Sequence, residues 1–595
     1  MRNLFAVIGL LLLGLGGVLQ AQEQEQLDEI TLIAHFEQPG KYTLGVKFSG
    51  TPGEKFLIEW WGGRETISME NTNDIEWSRD IIQETSETTQ YDVTIYSINP
   101  TGHILSLSID SVYKYNDLYL KSSPELTALQ VAHNNLKVLV LFGCHDLTYL
   151  DCSYNRLTTI DYMDKADSLI YLDISHNLLD NTLFSPLATQ HYQVLKHLIC
   201  NNTLVDGIVL DNLPALETFE CSHNSQLTGL SLISMPALET VKFTDNPLCT
   251  GLDMIDCPLL DALNLSNNVR LGTLDISNTG LRTLDLSIAP NLKNLYCSRN
   301  DSLTTLSIDN PKLEILYLYD LPSLQYLSCR STLLSGLSFS AYDSLPSLRT
   351  VECSDNPLLE SLELTDCQFL DSLDFTNNIQ LKELTISHTE LKSLDLSVAP
   401  NLENVSCSGN DSLTTLSIDN PKLEYLSLHD LPALQYLSCR NTLLSALHFT
   451  ASDSLPSLRT VECSDNPLLE SLELADCQFL DSLDFTNNIQ LKELTISHTE
   501  LKSLDLSVAP NLENVSCSGN DSLTMLKVDS PVLKDLQCDH NRLDSLLING
   551  IARANLTCNH NRLTSLSLPS DVILESLTCD SNGLLWSVYR FGKTN

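Results

Sequence analysis

One long stretch of this chain occurs twice, and that copy is the feature that most limits how the chain can fold. Asp343–Thr414 recurs as Asp453–Thr524, and the replacement of Thr365 by Ala475 is the one difference. Both copies contain the sequence SLRTVECSDN, which begins at Ser347 and again at Ser457. A copy this faithful indicates a modular unit that stacks on its own kind, so a fixed internal period outweighs the several-domain expectation from length.

Aliphatic anchors recur every 10 or 11 residues from about Ile104, which gives a full period of 21–22 residues. Each half-period reads L-x-x-L-x-[L/I/F/C], as in LTYLDCSYN and LETFECSHN. The alternation within L-x-[L/C] predicts a strand with one buried face, and the Asn or Pro that follows predicts a turn. The anchors include Leu129, Leu139, Leu150, Leu230, Val241, Leu252, Leu263, Leu274, Leu284, Leu295 and Leu306.

Asparagines at one fixed offset after the strand predict a structural ladder. A buried Asn at this point can bond the backbone of its own turn and of the next coil. We therefore interpret these side chains as structural and do not assign them to a site: Asn155, Asn224, Asn246, Asn268, Asn356 and Asn378.

The chain contains 18 cysteines, a number that in an exported protein usually indicates disulfides. Their spacing argues otherwise, because Cys517, Cys538, Cys558 and Cys579 lie 21, 20 and 21 residues apart. Other repeats fill the same slot with an apolar residue, as at Phe243, Leu265 and Phe375. We therefore predict one inward-facing column of buried, mostly free thiols that are unsuited to holding zinc.

The motif L-x-x-L-x-C-x-x-N-x-L-x-x-L-D-L-S closely resembles the leucine-rich repeat, in the short form with a Cys in the strand. Examples are LTYLDCSYNRLTTIDY and LKDLQCDHNRLDSLLI, and the form is similar to the internalin-J-type repeats of bacterial surface proteins. The resemblance covers residues 104–585 and implies a β-rich solenoid, a leucine-rich repeat rod of about twenty coils. It also implies a non-enzymatic, adhesin-like binding protein, exported or displayed at the cell surface.

The ends of the chain lack the repeat. Residues 1–21 have the positive, apolar and small-residue regions of a secretory signal peptide. Residues 22–103 predict a small β-domain that caps the coils, with strands at Ile30–Phe36, Tyr42–Phe48, Lys55–Trp61 and Tyr91–Ile98. We expect Trp60, Trp61 and Trp77 to fill the core of this cap rather than to bind a ligand. Residues 586–595 form a tail with three aromatic residues, which we expect to fold over the last coil.

Irregular spacing marks three segments inside the repeats. Asp180–Tyr192 reads as an inserted loop, and the steps Leu337–Val351 and Leu447–Val461 take 14 residues, which predicts longer turns.

Composition excludes several classes of function. A formal charge of −42 and a pI near 4.4 argue against nucleic acid and anionic membranes as partners. No apolar stretch after the signal is long enough to span a bilayer, and no calcium-binding nonapeptide, P-loop or H-E-x-x-H occurs.

Ser387–Glu390 and its copy Ser497–Glu500 suggest a catalytic group, yet a turn at a coil edge is the favoured interpretation. We expect neither a cofactor nor a metal.

Large side chains at outward positions are the candidate binding residues, since tyrosine and arginine are enriched at the centres of protein interfaces. The partner would be a protein of a host or neighbouring cell, or a glycan, and we expect the chain to be monomeric. Three alternatives stay open: tyrosines that merely cover neighbouring strands, a structural spacer without a ligand, and a polysaccharide hydrolase, which would need paired carboxylates in a cleft. The period does not show which half-repeat faces the concave side. The candidates are Tyr296, Tyr317, Tyr319, Tyr326, Arg330, Tyr425, His429, Tyr436 and Arg440.

Overall fold

The structure is a computed structural model that describes most of the chain. The described residues are 27–36, 38–71, 73–84, 86–110, 114–184, 192–339, 345–449, 455–568 and 573–584. The predicted signal peptide and the tail at 586–595 lie outside this part, as do the centres of the inserted loop and of both longer turns. In the described residues, no helix combines the length and apolar character needed to cross a membrane.

The chain forms two compact units, which divide after Val205. Unit 1 contains thirteen described strands and two short 3-10 helices, Met163–Lys165 and Asn181–Leu183. Its strands are β1 (Glu29–Phe36), β2 (Gly40–Gly50), β3 (Lys55–Trp60), β4 (Gly63–Ser68), β5 (Ile75–Gln83), β6 (Thr89–Ser97), β7 (Ile104–Ser108), β8 (Asp117–Ser122), β9 (Ala128–Gln130), β10 (Val138–Leu141), β11 (Tyr149–Asp151), β12 (Tyr171–Asp173) and β13 (His197–Ile199).

Strand direction changes from antiparallel to parallel within unit 1. β1 and β2 pair antiparallel with β8 and β7, and these two strands then pair parallel with β10 and β9. A stack of coils would otherwise leave the edge of its first strand unpaired. The antiparallel strands cover that edge on both faces, so each early sheet continues directly into the coils.

The four strands predicted before residue 104 are all present, and β4 and β5 are two strands that the sequence patterns missed. Trp77 is buried as predicted, and its ring contacts that of Trp60 at 5.3 Å. The prediction is wrong for Trp61, which is 45% exposed, because it follows β3 at a turn rather than facing the core.

Unit 2 contains the remaining strands, each two to six residues long, and a 3-10 helix at Leu506–Val508. The strands are β14 (Gly207–Asp211), β15 (Thr218–Glu220), β16 (Gly229–Ile233), β17 (Thr240–Lys242), β18 (Gly251–Ile255), β19 (Leu263–Asn264), β20 (Thr273–Asp275), β21 (Thr283–Asp285), β22 (Asn294–Tyr296), β23 (Thr305–Ser307), β24 (Ile315–Tyr317), β25 (Tyr326–Ser328), β26 (Gly336–Phe339), β27 (Thr350–Glu352), β28 (Ser361–Thr365), β29 (Ser372–Asp374), β30 (Glu383–Ser387), β31 (Ser393–Asp395), β32 (Asn404–Ser408), β33 (Thr415–Ser417), β34 (Tyr425–His429), β35 (Tyr436–Ser438), β36 (Ala446–Phe449), β37 (Thr460–Glu462), β38 (Ser471–Ala475), β39 (Ser482–Asp484), β40 (Glu493–Ser497), β41 (Ser503–Asp505), β42 (Asn514–Ser516), β43 (Met525–Asp529), β44 (Asp535–Gln537), β45 (Ser545–Asn549), β46 (Arg553–Thr557) and β47 (Ile573–Thr578).

Strands of unit 2 alternate between two faces as the chain advances. Among β14 to β46 the even-numbered strands pair in parallel with one another, and so do the odd-numbered strands. We call the two outer surfaces the even face and the odd face. The fold is a parallel β-solenoid of about twenty turns, as the sequence predicts. The half-period of the sequence is therefore one strand on one face, and the full period is one coil.

Leucine columns form the core between the two faces. In register, Leu284 lies beside Leu306 on the next coil, and Leu306 beside Leu327. These side chains are at most 5% exposed. Every predicted anchor lies in a strand, and all but Leu263 are buried. The interior is thin, because each coil contributes only a few aliphatic side chains to it.

Asparagine side chains satisfy the backbone where the strand ladders end. Asn378 is completely buried and donates from Nδ2 to the carbonyls of Cys353 and Phe375 at 3.0 and 2.8 Å. Its Oδ1 accepts from the backbone N–H of Asn356 at 2.9 Å. The predicted ladder is confirmed, but its direction is corrected, since the side chain reaches the preceding coil rather than the next. The groups it meets lie past the ends of β27 and β29, where the strand ladders have ended.

The residue before each of the six predicted ladder asparagines adopts a left-handed backbone. Asp355 and Asn377 have φ values of 59° and 61°, a region that Asn and Asp tolerate better than most residues. Gly409 occupies this position with φ at 62°, and a Cβ there would lie 2.6 Å from the His388 ring. The left-handed turn directs the following side chain into the core.

All 18 cysteines are free thiols, and all but the half-exposed Cys579 are buried. Cys517, Cys538 and Cys558 follow β42, β44 and β46, which are neighbours in one parallel sheet, so they occupy equivalent positions on successive coils. Phe243, Leu265 and Phe375 are buried as well, which confirms that the slot takes any apolar side chain. Burial raises the pKa of Cys407 to about 12.

Replacing Asn378 by alanine should destabilise the protein strongly. The change leaves two buried carbonyls and one buried N–H without their partner, at a cost of about 2–4 kcal/mol. The matched control is Asn377→Gly, which removes an exposed side chain and keeps the left-handed turn. Urea unfolding followed by circular dichroism measures both variants, and equal midpoints for the two would contradict the assigned role of Asn378.

Thiol titration should distinguish the native from the unfolded chain. At pH 8 a thiol with a pKa near 12 is almost entirely protonated, and the thiolate is the reactive form. We expect an aromatic disulfide reagent to label at most one cysteine, Cys579, in the native protein and all 18 in guanidinium chloride. Rapid native labelling of several thiols would refute the buried column.

Candidate binding surface

The residues beside each buried strand anchor project outward, and parallel register aligns them from coil to coil. In β25 and β27, Tyr326 lies opposite Thr350, and Ser328, whose side chain is buried, lies opposite Glu352. A given outward position therefore forms a row along its face at a strand spacing of about 4.8 Å. Any recognition by the described coils has to use such rows or the turns beside them.

The nine candidates divide between the two faces. The even face holds Tyr296, Tyr317, Tyr425 and His429, and Tyr319 follows β24 on the same side. The odd face holds Tyr326 and Tyr436, with Arg330 and Arg440 directly after their strands. The structure does not bring these residues together into one surface.

On the odd face, Tyr326 and Arg330 share one carboxylate. The hydroxyl of Tyr326 donates to Glu352, and Nη2 of Arg330 lies 2.8 Å from the same carboxylate and 3.9 Å from that of Asp374. The hydrogen bond to Glu352, together with burial, raises the pKa of Tyr326.

The same cluster recurs further along the odd face. Tyr436 donates to Glu462 at 2.6 Å, and Arg440 pairs with Glu462. These contacts hold the tyrosine rings against neighbouring strands, as expected if the tyrosines merely cover those strands. Arg330 and Arg440 nevertheless each keep 41% of their side-chain surface exposed. The odd face thus presents two equivalent polar clusters.

On the even face, Tyr296 and Tyr317 stack with ring centres 5.2 Å apart and planes inclined by 10°. Tyr317 and Tyr319 are 57% and 43% exposed. This patch does not recur 110 residues later, because Ser406, Ser427 and His429 stand at the equivalent positions. Tyr425 is 58% exposed and takes the place of Ile315.

Two aromatic rows in unit 1 were not predicted from the sequence. Tyr149 stacks on Tyr171 with centres 4.6 Å apart. In the following turns, Tyr154 lies between His133 and His176, at 4.2 and 3.9 Å. The signal was present in YLDCSYN and YLDISHN, which place aromatic rings at the same offsets one coil apart.

A row of carboxylates on the odd face of unit 2 was also missed. Glu352 lies in register with Asp374, and Asp395 is the outward residue of the next odd-face strand. The sheet pairing is interrupted between β29 and β31, and a groove of about 330 Å³ lies there. Its walls include Asp371, Asp374 and Asp395 together with Leu394 and Val398.

Within the described ranges, no group of three or more His, Cys, Asp or Glu side chains is placed to hold a metal ion. His388 has a left-handed backbone with φ at 52° and pairs with Asp366 at 3.1 Å. Thr389 is buried and bonds the amide oxygen of Asn410. The Ser387–Glu390 segment is therefore a turn at a coil edge, as predicted.

No protein-family model and no curated protein matches the chain. Solved structures of leucine-rich repeat proteins do match it. YopM from Yersinia enterocolitica WA-314 is 23% identical, with 80% of this chain and 91% of that chain covered and a TM-score of 0.21. The functional domain of InlJ from Listeria monocytogenes, described as including a cysteine ladder, is 20% identical over 79% of each chain, at a TM-score of 0.17. Mouse RP105, in complex with MD-1, is 14% identical over 80% of this chain and 90% of that chain, at 0.20. TM-scores this low do not support a conclusion about function.

Proposed function

We propose that this chain is a non-enzymatic, internalin-J-like leucine-rich repeat protein that binds a partner through its outward strand rows. The observation that supports this most is the odd face of unit 2. There Tyr326, Arg330 and Glu352 form a polar cluster in which the Arg330 side chain is 41% exposed and Tyr326 and Glu352 are half-buried. An equivalent cluster recurs around Tyr436. Tyrosine and arginine on a rigid scaffold lose little conformational freedom on binding, which favours recognition.

We place this activity outside the cell, in an adhesin-like role towards a protein, or a glycan, of a host or neighbouring cell. The signal-peptide pattern of residues 1–21 supports export, and residues 22–103 serve as the cap of the coils. A charge of −42 disfavours nucleic acid as the partner and keeps the protein monomeric by mutual repulsion. Recognition requires neither a cofactor nor a metal in this proposal.

The proposal assigns recognition to the odd face, and paired variants test that assignment. A panel of surface proteins and a glycan array identify the ligand of the mature chain, residues 22–595. We expect Tyr326→Ala with Tyr436→Ala to weaken the interaction about tenfold, as loss of interface tyrosines does. The even-face set Tyr317→Ala, Tyr319→Ala and Tyr425→Ala should have a smaller effect.

Ile379→Ala is the matched control, because Ile379 is 54% exposed at a turn and lies on neither strand row. Unchanged affinity in the odd-face variant would contradict the assignment, as would a loss equal to that of the control.

A structural spacer without a specific ligand is the second candidate, and the near-identity of the duplicated segment favours it. Deleting residues 343–452 removes one copy of the block and rejoins equivalent positions. A spacer would keep its function in shortened form. A binder that uses both odd-face clusters would lose affinity, because one of the two would be gone.

A further inference from the structure

Directly after the duplicated segment the two copies of the odd face differ at two outward positions, where Met525 and Lys527 correspond to Thr415 and Ser417, and only the second exchange changes the charge. Asp395 lies in register with Ser417, whereas the equivalent Asp505 lies in register with Lys527. The chain therefore contains the same carboxylate in two settings, one with a lysine on the neighbouring coil and one with a serine.

Lys527 shows what the carboxylate and its neighbour can bind. Its Nζ lies 3.0 Å from Oδ2 of Asp505 and 2.8 Å from the hydroxyl of Ser507. Asp505 is held in place because its Oδ1 accepts from the backbone N–H of Ser507 at 2.9 Å. Asp505 and Ser507 together form a receptor for a primary ammonium group.

Asp395 and Ser397 form the same receptor. Oδ1 of Asp395 accepts from the backbone N–H of Ser397 at 3.0 Å and from its hydroxyl at 2.6 Å. Among the ion pairs of the described residues, none involves Asp395, while Lys527 occupies Asp505. The receptor is thus formed in both copies, and the chain supplies its own lysine in only one.

The surroundings of Asp395 fit a whole lysine side chain. Asp395 lines the groove of about 330 Å³ between β29 and β31, where Asp371 and Asp374 add negative charge. Leu394 and Val398 supply apolar wall on which the methylene stem of a lysine can pack while its ammonium reaches the carboxylate.

An earlier position in the chain lacks part of this setting. Asp285 bonds Ser287 in the same way and lies in register with Ser307. However, Asn264 stands where Asp374 does, and Lys242 stands where Glu352 does. The surroundings of Asp285 are therefore less negative than those of Asp395, so the site at Asp395 attracts an ammonium group more strongly.

We propose that the groove at Asp395 and Ser397 binds a lysine side chain of the partner protein. The inference rests on the proposed binding function and specifies the chemistry of the partner at one point of the odd face. Lys527 shows the same ammonium–carboxylate pairing within the chain, but it reaches Asp505 from β43, the equivalent of β33, whereas the groove lies on the β29 side of Asp395. An incoming lysine replaces the missing internal one, and its charge complements the acidic row.

Saturation-transfer NMR with the tripeptide acetyl-Gly-Lys-Gly-amide tests the site in the mature chain. Ser417→Lys places the internal lysine beside Asp395, as Lys527 lies beside Asp505, and should weaken binding of the tripeptide about tenfold. Lys527→Ser should do the opposite and create a second site at Asp505.

Ser406→Lys, which adds the same charge on the even face, is the matched control and should change binding less than twofold. A tripeptide with an acetylated lysine should not bind.

Two results of these exchanges would contradict the inference. The inference is overturned if Ser417→Lys behaves like Ser406→Lys, or if Lys527→Ser produces no gain. Circular dichroism should show that both exchanges leave the fold intact, because exposed ion pairs contribute little to stability. If the tripeptide follows the predicted pattern but no protein or glycan ligand depends on the odd face, the proposed function fails while the lysine site stands.

Discussion

Each coil of this protein depends on its neighbours to cover what it cannot bury alone. A strand of three to five residues has open backbone groups on both edges, and its one or two leucines cannot form a core. Parallel stacking solves both problems, because the next coil supplies the hydrogen bonds and the next layer of the leucine column. The stack has no intrinsic length, which explains how a whole block of coils could be duplicated with one substitution.

The turns need a separate solution, since the ladders end before the chain reverses. The side-chain amide of a buried asparagine donates to backbone carbonyls and accepts from a backbone N–H. The left-handed residue before the asparagine directs this amide inward. Where threonine takes the place of the asparagine, as at Thr389, its backbone N–H and hydroxyl both bond the asparagine of the next coil. The cysteine slot is less demanding and accepts phenylalanine or leucine, because only volume and apolarity matter there. Regular stacking leaves the outward rows free to vary, and the two copies show such variation at Ser417 and Lys527.

The sequence predicted the architecture well because a period encodes it. The anchors, the asparagine offset and the buried thiols follow from spacing that any coil has to keep. It predicted the surface less well, because a period of one strand does not state which strands share a face. Tyr317 and Tyr326 are close in sequence yet project from opposite faces, while Asp374 and Asp395 lie in one groove. The strands β4 and β5 were not predicted because their polar residues weaken the alternation. The exposure of Trp61 follows from the turn at Trp61 and Gly62, because β3 ends one residue earlier than the predicted strand.

Pairwise distances within unit 2 test the central claim, that outward positions one period apart lie in a single stacked row. Ser307 and Ser417 are equivalent odd-face positions separated by five coils. Cysteines introduced at both, together with Cys579→Ala, can be spin-labelled selectively, because the remaining native thiols are buried. Double electron–electron resonance should give one narrow distance of about 24 Å, five strand spacings. A broad distribution, or a separation far from this value, would contradict the stacked-coil account.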